Sequence, residues 1–142
     1  MGTLAALAAR HVHVIAIIDD DESVRLALHS LLRSLGFGAA AYASAEDFLG
    51  SPRVAEMACL IADVRMPGMS GFDLQRGLVA EGFALPTIFI SALDEPSMRR
   101  RASRAGAVAF LRKPLGEQRL LSAVCTALGI EASDPAFEPS AE

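Results

Sequence analysis

The sequence predicts an α/β protein with a parallel sheet covered by helices on both faces. Two observations carry that prediction. Five short apolar runs alternate with amphipathic stretches from Val12 to Leu128, the alternation expected of strand–helix units in a parallel sheet. Polar side chains also stand just past the runs. Val14–Ile18 is followed by Asp19-Asp20-Asp21-Glu22, Cys59–Ala62 by Asp63, Thr87–Ile90 by Ser91, and Val108–Leu111 closely by Lys113-Pro114. In one parallel sheet these residues share an edge, the edge at which open α/β sheets bind ligands.

The elements follow in order. After the first strand, Val24, Leu28, Leu31 and Leu35 recur at steps of three and four, with Leu32 beside them. That spacing predicts a helix, and Gly36 stops it. Ala39–Tyr42 is read as the second strand, although alanine is a poor strand former. Ser44-Ala45-Glu46-Asp47 opens a short helix through Leu49, which Gly50-Ser51-Pro52 breaks. The strand ending at Asp63 leads into the turn Met66-Pro67-Gly68-Met69. Ser70 then caps a third helix in a capping box with Asp73, Asp standing in for Glu. Leu74 and Leu78 face inward, and Gly82 ends the helix. After Thr87–Ile90, Asp94-Glu95-Pro96 starts a fourth helix with Pro in its first turn. Met98, Ala102 and Ala105 form its buried stripe, and Gly106 stops it. The strand Val108–Leu111 precedes a last helix carrying Leu120, Val124 and Leu128, closed by Gly129.

A length of 142 residues fits one domain. Residues 1–11 read as an N-terminal extension, 12–129 as the folded domain, and 130–142 as an acidic tail or linker stub on which Phe137 could dock. Cys59 and Cys125 read as buried core residues rather than a disulfide or metal site. His11, His13 and His29 read as surface residues, since no third ligand accompanies the first two. No run of apolar residues is long enough for a transmembrane helix. The start has neither a signal-peptide nor a myristoylation pattern, so a cytoplasmic protein without membrane contact is expected. The formal net charge of −4 gives no support for direct nucleic-acid binding.

Asp19, Asp20 and Asp63 would converge where strands one and three adjoin. Packed carboxylates repel one another, and a divalent cation and an ammonium relieve that repulsion. Oxygen donors in a partly open shell suit Mg²⁺, and Lys113 can reach in from strand five. Such a site is ready for a phosphoryl group, with Asp63 as nucleophile and Mg²⁺ and Lys113 neutralising the transferred oxygens. Ser91 could donate to one of those oxygens and draw the following loop inward.

The chain at this point resembles a bacterial two-component response-regulator receiver domain. The matching segments are Ile18-Asp19-Asp20-Asp21-Glu22-Ser23-Val24-Arg25, Asp63 through Gly71, Ile90-Ser91-Ala92, and Gly106 through Pro114. The wording is similar to the receiver half of nitrogen-fixation-type regulators, over roughly Val12 to Leu128. The resemblance implies a flavodoxin-like fold of strand order 2-1-3-4-5. It implies that Asp63 is the phosphoacceptor, that Asp20 binds Mg²⁺ (or Mn²⁺) directly and Asp19 through water, and that the Arg65 carbonyl is a further ligand. Ser91 and Phe110 match the switch positions and Lys113 the phosphate-binding lysine, with a cis bond to Pro114. The implied partner is a sensor histidine kinase or phosphotransfer protein in a two-component system or phosphorelay. A partner or second copy would bind through helix four, strand five and helix five; the chain reads either as a stand-alone receiver that binds a partner or relays phosphate, or as the front half of a longer regulator whose output would be transcription regulation. The domain is then a signalling switch rather than an enzyme, with only self-catalysed phosphotransfer and slow autodephosphorylation.

Two departures from the family accompany the match. Three Asp residues follow Ile18, so the metal pair could be Asp19–Asp20 or Asp20–Asp21; the family register of Glu22 to Arg25 favours the first pair and leaves Asp21 as a helix cap. Leu93 is apolar where relatives carry a Gly-His-Gly-Asp type of loop, and either packs or shields the acyl phosphate. Arg99, Arg100, Arg101 and Arg104 read as a solvated face or a partner surface. An aspartyl-phosphate hydrolase would want an acid where Arg65 stands, and an FMN carrier would not place four acids at a phosphate loop. A phosphate-independent receiver-like adaptor would not need the full acid, hydroxyl and lysine set.

Overall fold

A computed structural model of the chain describes residues 13–130. The extension and the tail beyond Ile130, with His11 and Phe137, lie outside the described residues. The strands are β1 (Val14–Ile18), β2 (Gly38–Tyr42), β3 (Met57–Asp63), β4 (Thr87–Ser91) and β5 (Ala109–Arg112). The helices are α1 (Glu22–Ser34), α2 (Ala45–Leu49), α3 (Gly71–Ala80), α4 (Pro96–Arg104) and α5 (Glu117–Leu128). One unanticipated turn of 3₁₀ helix, Val54–Glu56, runs directly into β3, which begins two residues before the predicted start. β5 begins one residue later than predicted.

All strand pairs are parallel and the order is β2-β1-β3-β4-β5, the predicted flavodoxin-like arrangement. Alternation along each strand explains how two helical layers are accommodated, because successive side chains leave opposite faces. Ile15, Ile17, Cys59, Ile61, Ile88 and Ile90 pack in one core with Leu28 and Leu32 of α1 and Leu120 and Val124 of α5. Ala16, Ile18, Leu60, Ala62 and Phe89 pack in the other with Phe48 of α2, Leu74 and Leu78 of α3 and Ala102 of α4. Both cysteines are free and buried in the first core. Ala39–Tyr42 forms its strand despite three alanines, because pairing with β1 overrides propensity.

Helix starts follow the sequence signals. The Ser44 hydroxyl accepts from Asp47 N at 3.0 Å. Ser70 and Asp73 make the reciprocal capping box, at 3.1 and 3.2 Å. The α4 surface departs from expectation. Ala102 is its one fully buried residue, Met98 and Ala105 are only partly covered, and Arg101 lies over the Phe72 ring at 4.3 Å. A guanidinium can cover an aromatic face while staying wet at its edge, so this arginine joins α4 to α3. His29 is half-buried rather than exposed. Among the described residues no helix is long and apolar enough to cross a membrane.

Candidate functional site

The strand order reverses around β1 and β3, and the acids lie at the carboxyl ends of those two strands. Asp19 follows β1 directly, fully buried, with its N–H donating to the Tyr42 carbonyl at 3.2 Å. Its Oδ1 accepts from Asp21 N at 2.9 Å, an Asx turn that reverses the chain and leaves Asp20 exposed at the rim. Arg25 donates to the Asp19 carbonyl at 2.8 Å from the first turns of α1.

Asp21 is taken up by the start of α1 instead. Its Oδ1 accepts from Ser23 N at 2.9 Å and Ser23 Oγ at 2.8 Å, capping α1. The Ser23 hydroxyl, then the α1 amides, hold this carboxyl below the usual carboxylate range. Of the triple Asp, the structure therefore gathers Asp19 and Asp20 with Asp63, each offering an oxygen within 4.8 Å of the others.

Asp63 is the last residue of β3 and is 5% exposed. Its Oδ1 accepts from Arg65 N at 3.1 Å. Its carbonyl faces Gly71, the first residue of α3, where a Cβ would stand 2.5 Å from that oxygen. Only a residue without a side chain lets α3 start this close to the strand end.

Lys113 follows β5 and is linked to Pro114 by a cis peptide. Its N–H donates to the Ser91 carbonyl at 2.8 Å, and its ammonium bridges Asp19 Oδ2 at 2.8 Å and Asp63 Oδ2 at 3.0 Å. Burial pushes the Asp63 carboxyl up and the Asp19 charge adds to it, outweighing the Arg65 amide and Lys113. For Lys113 burial acts against the charge, but the two carboxylates outweigh it and raise its pKa.

Ser91 ends β4, and its Oγ accepts from Leu93 N at 3.1 Å. The serine O–H is left to donate elsewhere. Phe110 lies in β5 beside Phe89, 8% exposed. Leu93 is 43% exposed: Ser91 holds its backbone amide while much of the side chain meets solvent.

The donor set fits a hard divalent cation. Asp19 Oδ2 is buried without an aligned hydrogen bond, its near neighbour being the Lys113 ammonium as an ion contact. Three carboxylates around one point would be repulsive without further positive charge, and carboxylate oxygens with open positions match the preferences of Mg²⁺ or Mn²⁺.

Sequence reasoning missed four supporting contacts. Arg25 on the Asp19 carbonyl carries no recognisable spacing. Glu46 of α2 accepts from Met69 N at 3.1 Å, joining residues far apart in the chain. Arg65 pairs with Glu95 at 3.2 Å across the rim. Arg99 lies 5.0 Å from the Phe110 ring centroid. The Arg99 contact had a faint signal in the basic cluster on a helix with few apolar residues.

A family model described as the response regulator receiver domain matches residues 15–125. The response regulator protein TmoT of Ectopseudomonas mendocina is 47% identical over 115 residues, 81% of this chain and 52% of that protein. The solved structure of the response regulator StyR superposes with a TM-score of 0.75 at 44% identity, covering 82% of this chain and 59% of that one. The FixJ-N crystal structure has a TM-score of 0.74 at 34% identity, covering 82% and 94%. The chain spans about half the length of the curated relatives it matches.

Proposed function

Because the chain belongs to the response-regulator receiver family, a signalling family rather than one of conventional enzymes, we propose that it accepts a phosphoryl group on Asp63 from a phosphohistidine. The donor would be a sensor histidine kinase or a phosphotransfer protein. The observation that carries the reading is the gathering of Asp19, Asp20 and Asp63 around one point with the Lys113 ammonium bridging two of them.

Asp20, Asp63 and the Arg65 carbonyl would hold Mg²⁺ or Mn²⁺ directly, and Asp19 through water. The cation supplies charge neutralisation at the phosphoryl oxygens. An Asp63 oxygen forms the new bond to phosphorus as the phosphorus–nitrogen bond breaks, and the electron pair returns to the imidazole, which takes up a proton. Lys113, already 3.0 Å from Asp63 Oδ2, stays beside the developing negative charge without moving far, which is the value of a preorganised cation. The Ser91 O–H donates to a phosphoryl oxygen, and the Leu93 amide that now rests on Ser91 Oγ links that event to the next loop. Phe110 follows as the second switch residue.

The receiver unit is residues 12–129, flanked by the extension and the acidic tail, and it acts in the cytoplasm. A partner or second copy engages the face formed by α4, β5 and α5, and contact with nucleic acid is left to other segments or partners. The similarity to FixJ of Azorhizobium caulinodans, named a transcriptional regulatory protein, supports an output in transcription regulation through a partner or a further domain. Slow autodephosphorylation resets the switch.

Incubation with acetyl phosphate and Mg²⁺, read by intact mass, tests this reading. Wild type gains one phosphoryl mass and Asp63→Asn gains none. An unmodified wild type, or an undiminished adduct on Asp63→Asn, would contradict it.

A further inference from the structure

α4 makes polar as well as apolar contacts with the body. It buries Ala102 fully and carries four arginines. On its α3 side, Arg101 covers the Phe72 ring at 4.3 Å, and Gln75 of α3 donates to the Ala105 carbonyl at 2.9 Å. On its β5 side the polar contacts run through Arg99. Its Nε pairs with Asp94 Oδ1, a second guanidinium nitrogen donates to the Phe110 carbonyl at 3.4 Å, and the guanidinium carbon sits 5.0 Å from the Phe110 ring centroid.

Those contacts join two places that the sheet keeps apart. Asp94 lies in the loop between β4 and α4, three residues past Ser91, and the Leu93 amide in that loop is bound to Ser91 Oγ. Phe110 lies inside β5, beside Phe89 rather than Ser91. Phe110 also lines a groove of about 570 Å³ between β5 and α5, with Arg99, Arg119 and Ser122. A planar guanidinium can pair with a carboxylate along its edge while its face lies on an aromatic ring. One side chain thus reads the loop with its edge and the ring with its face.

We infer that Arg99 is a positioning residue of the switch, tying the loop after Ser91 to Phe110 through Asp94, so that movement of the loop reaches the groove on the β5 side. This deepens the proposed function and rests on it. When Ser91 turns towards a phosphoryl group, Leu93 and Asp94 shift with it. The Asp94–Arg99 pair then follows or breaks, and in either case the guanidinium moves on the Phe110 ring. Phe110 needs no contact of its own with Ser91 to respond.

The test is amide NMR of the full chain with Mg²⁺, before and after addition of beryllofluoride as a phosphoryl mimic. In wild type, resonances of Asp63, Ser91, Asp94, Arg99 and Phe110 shift together. In Arg99→Ala the Asp63 and Ser91 responses persist, while the Phe110 response falls at least threefold. Asp94→Asn, which leaves Arg99 in place but removes the charge it holds, gives the same loss and carries the test if Arg99→Ala does not fold. A merely structural role for Arg99 would move Phe110 in the free protein and leave its response to beryllofluoride intact. A Phe110 response of wild-type size in either folded variant would overturn the inference. Absence of any response at Asp63 in wild type would overturn the phosphoacceptor reading itself, and this inference with it.

Discussion

Two glycines of α3 should respond oppositely to the same added methyl group. At Gly71 a Cβ would lie 2.5 Å from the Asp63 carbonyl oxygen, 3.1 Å from its carbonyl carbon and 3.3 Å from Val64 Cα. The nearest contact is roughly 1 Å short of an optimal separation of about 3.5 Å. All three atoms are backbone, so no side-chain rotation relieves the clash, and either the end of β3 or the start of α3 must move. Overpacking of this kind costs about 1–3 kcal/mol, more than the fraction of a kcal/mol that alanine gains over glycine in the first helical turn. At Gly77 a Cβ would meet no atom within 4 Å, and the backbone there is not left-handed. Ala at that position should stabilise by about 0.5–1 kcal/mol. Urea denaturation followed by far-ultraviolet circular dichroism should therefore separate Gly71→Ala from Gly77→Ala by about 1.5–4 kcal/mol, with unchanged m-values. Gly71→Ala should also slow adduct formation from acetyl phosphate, by as much as roughly 100-fold if Asp63 is displaced by 1 Å, while Gly77→Ala leaves the rate unchanged. Equal stabilities for the two variants, with equal rates, would refute the close approach.

Three further outcomes follow from the charges and burial. Mg²⁺ should stabilise the wild type, by about 1.4 kcal/mol when the free cation is at ten times its Kd, read as a rise in Tm that Asp20→Ala largely abolishes. The Asp63 carboxyl is raised by burial, so the folded protein binds its proton more readily than the unfolded chain. Its ionisation therefore costs stability above the folded pKa, and the cost disappears as pH falls below the unfolded value. Asp63→Asn should accordingly be more stable than wild type at pH 7 without divalent cation, with the gap narrowing on acidification in denaturant melts. Burial pushes the Cys59 thiol up to about 12 and raises Cys125 as well. About one Cys59 in 10⁴ is then ionised at pH 8, so iodoacetamide should label neither cysteine appreciably in the native protein and both in denaturant.

Much of the fold was legible because its signals are local. Ser44 and Ser70 cap the helices they precede, and the β1, β3 and β4 runs become strands buried on both faces. β2 was less legible, since its alanines form a strand through pairing with β1 and not through propensity. The position of each acid at a strand end could be read from the chain, but the division within Asp19-Asp20-Asp21 could not. That division depends on where α1 begins, and the structure uses Asp21 as its cap. Arg99 and Arg101 are exposed, in keeping with their reading as a solvated face or a partner surface, but a helical stripe pattern, which identifies apolar contacts, gives no sign of the rings they also touch. Their contacts are the faces of Phe110 and Phe72, rings supplied by other elements. Glu46 on the Met69 amide was hidden for the same reason: a side chain that satisfies a distant backbone group leaves no periodicity behind it.

The central claim is that the phosphoryl group goes to Asp63, and reductive trapping tests it most directly. Borohydride reduces an aspartyl phosphate to homoserine and leaves free carboxylates intact. After treatment of the full chain with acetyl phosphate, Mg²⁺ and borohydride, peptide mapping should find homoserine at position 63 and aspartate unchanged at 19, 20 and 21. Homoserine at any of those three positions, or at none, would contradict the assignment.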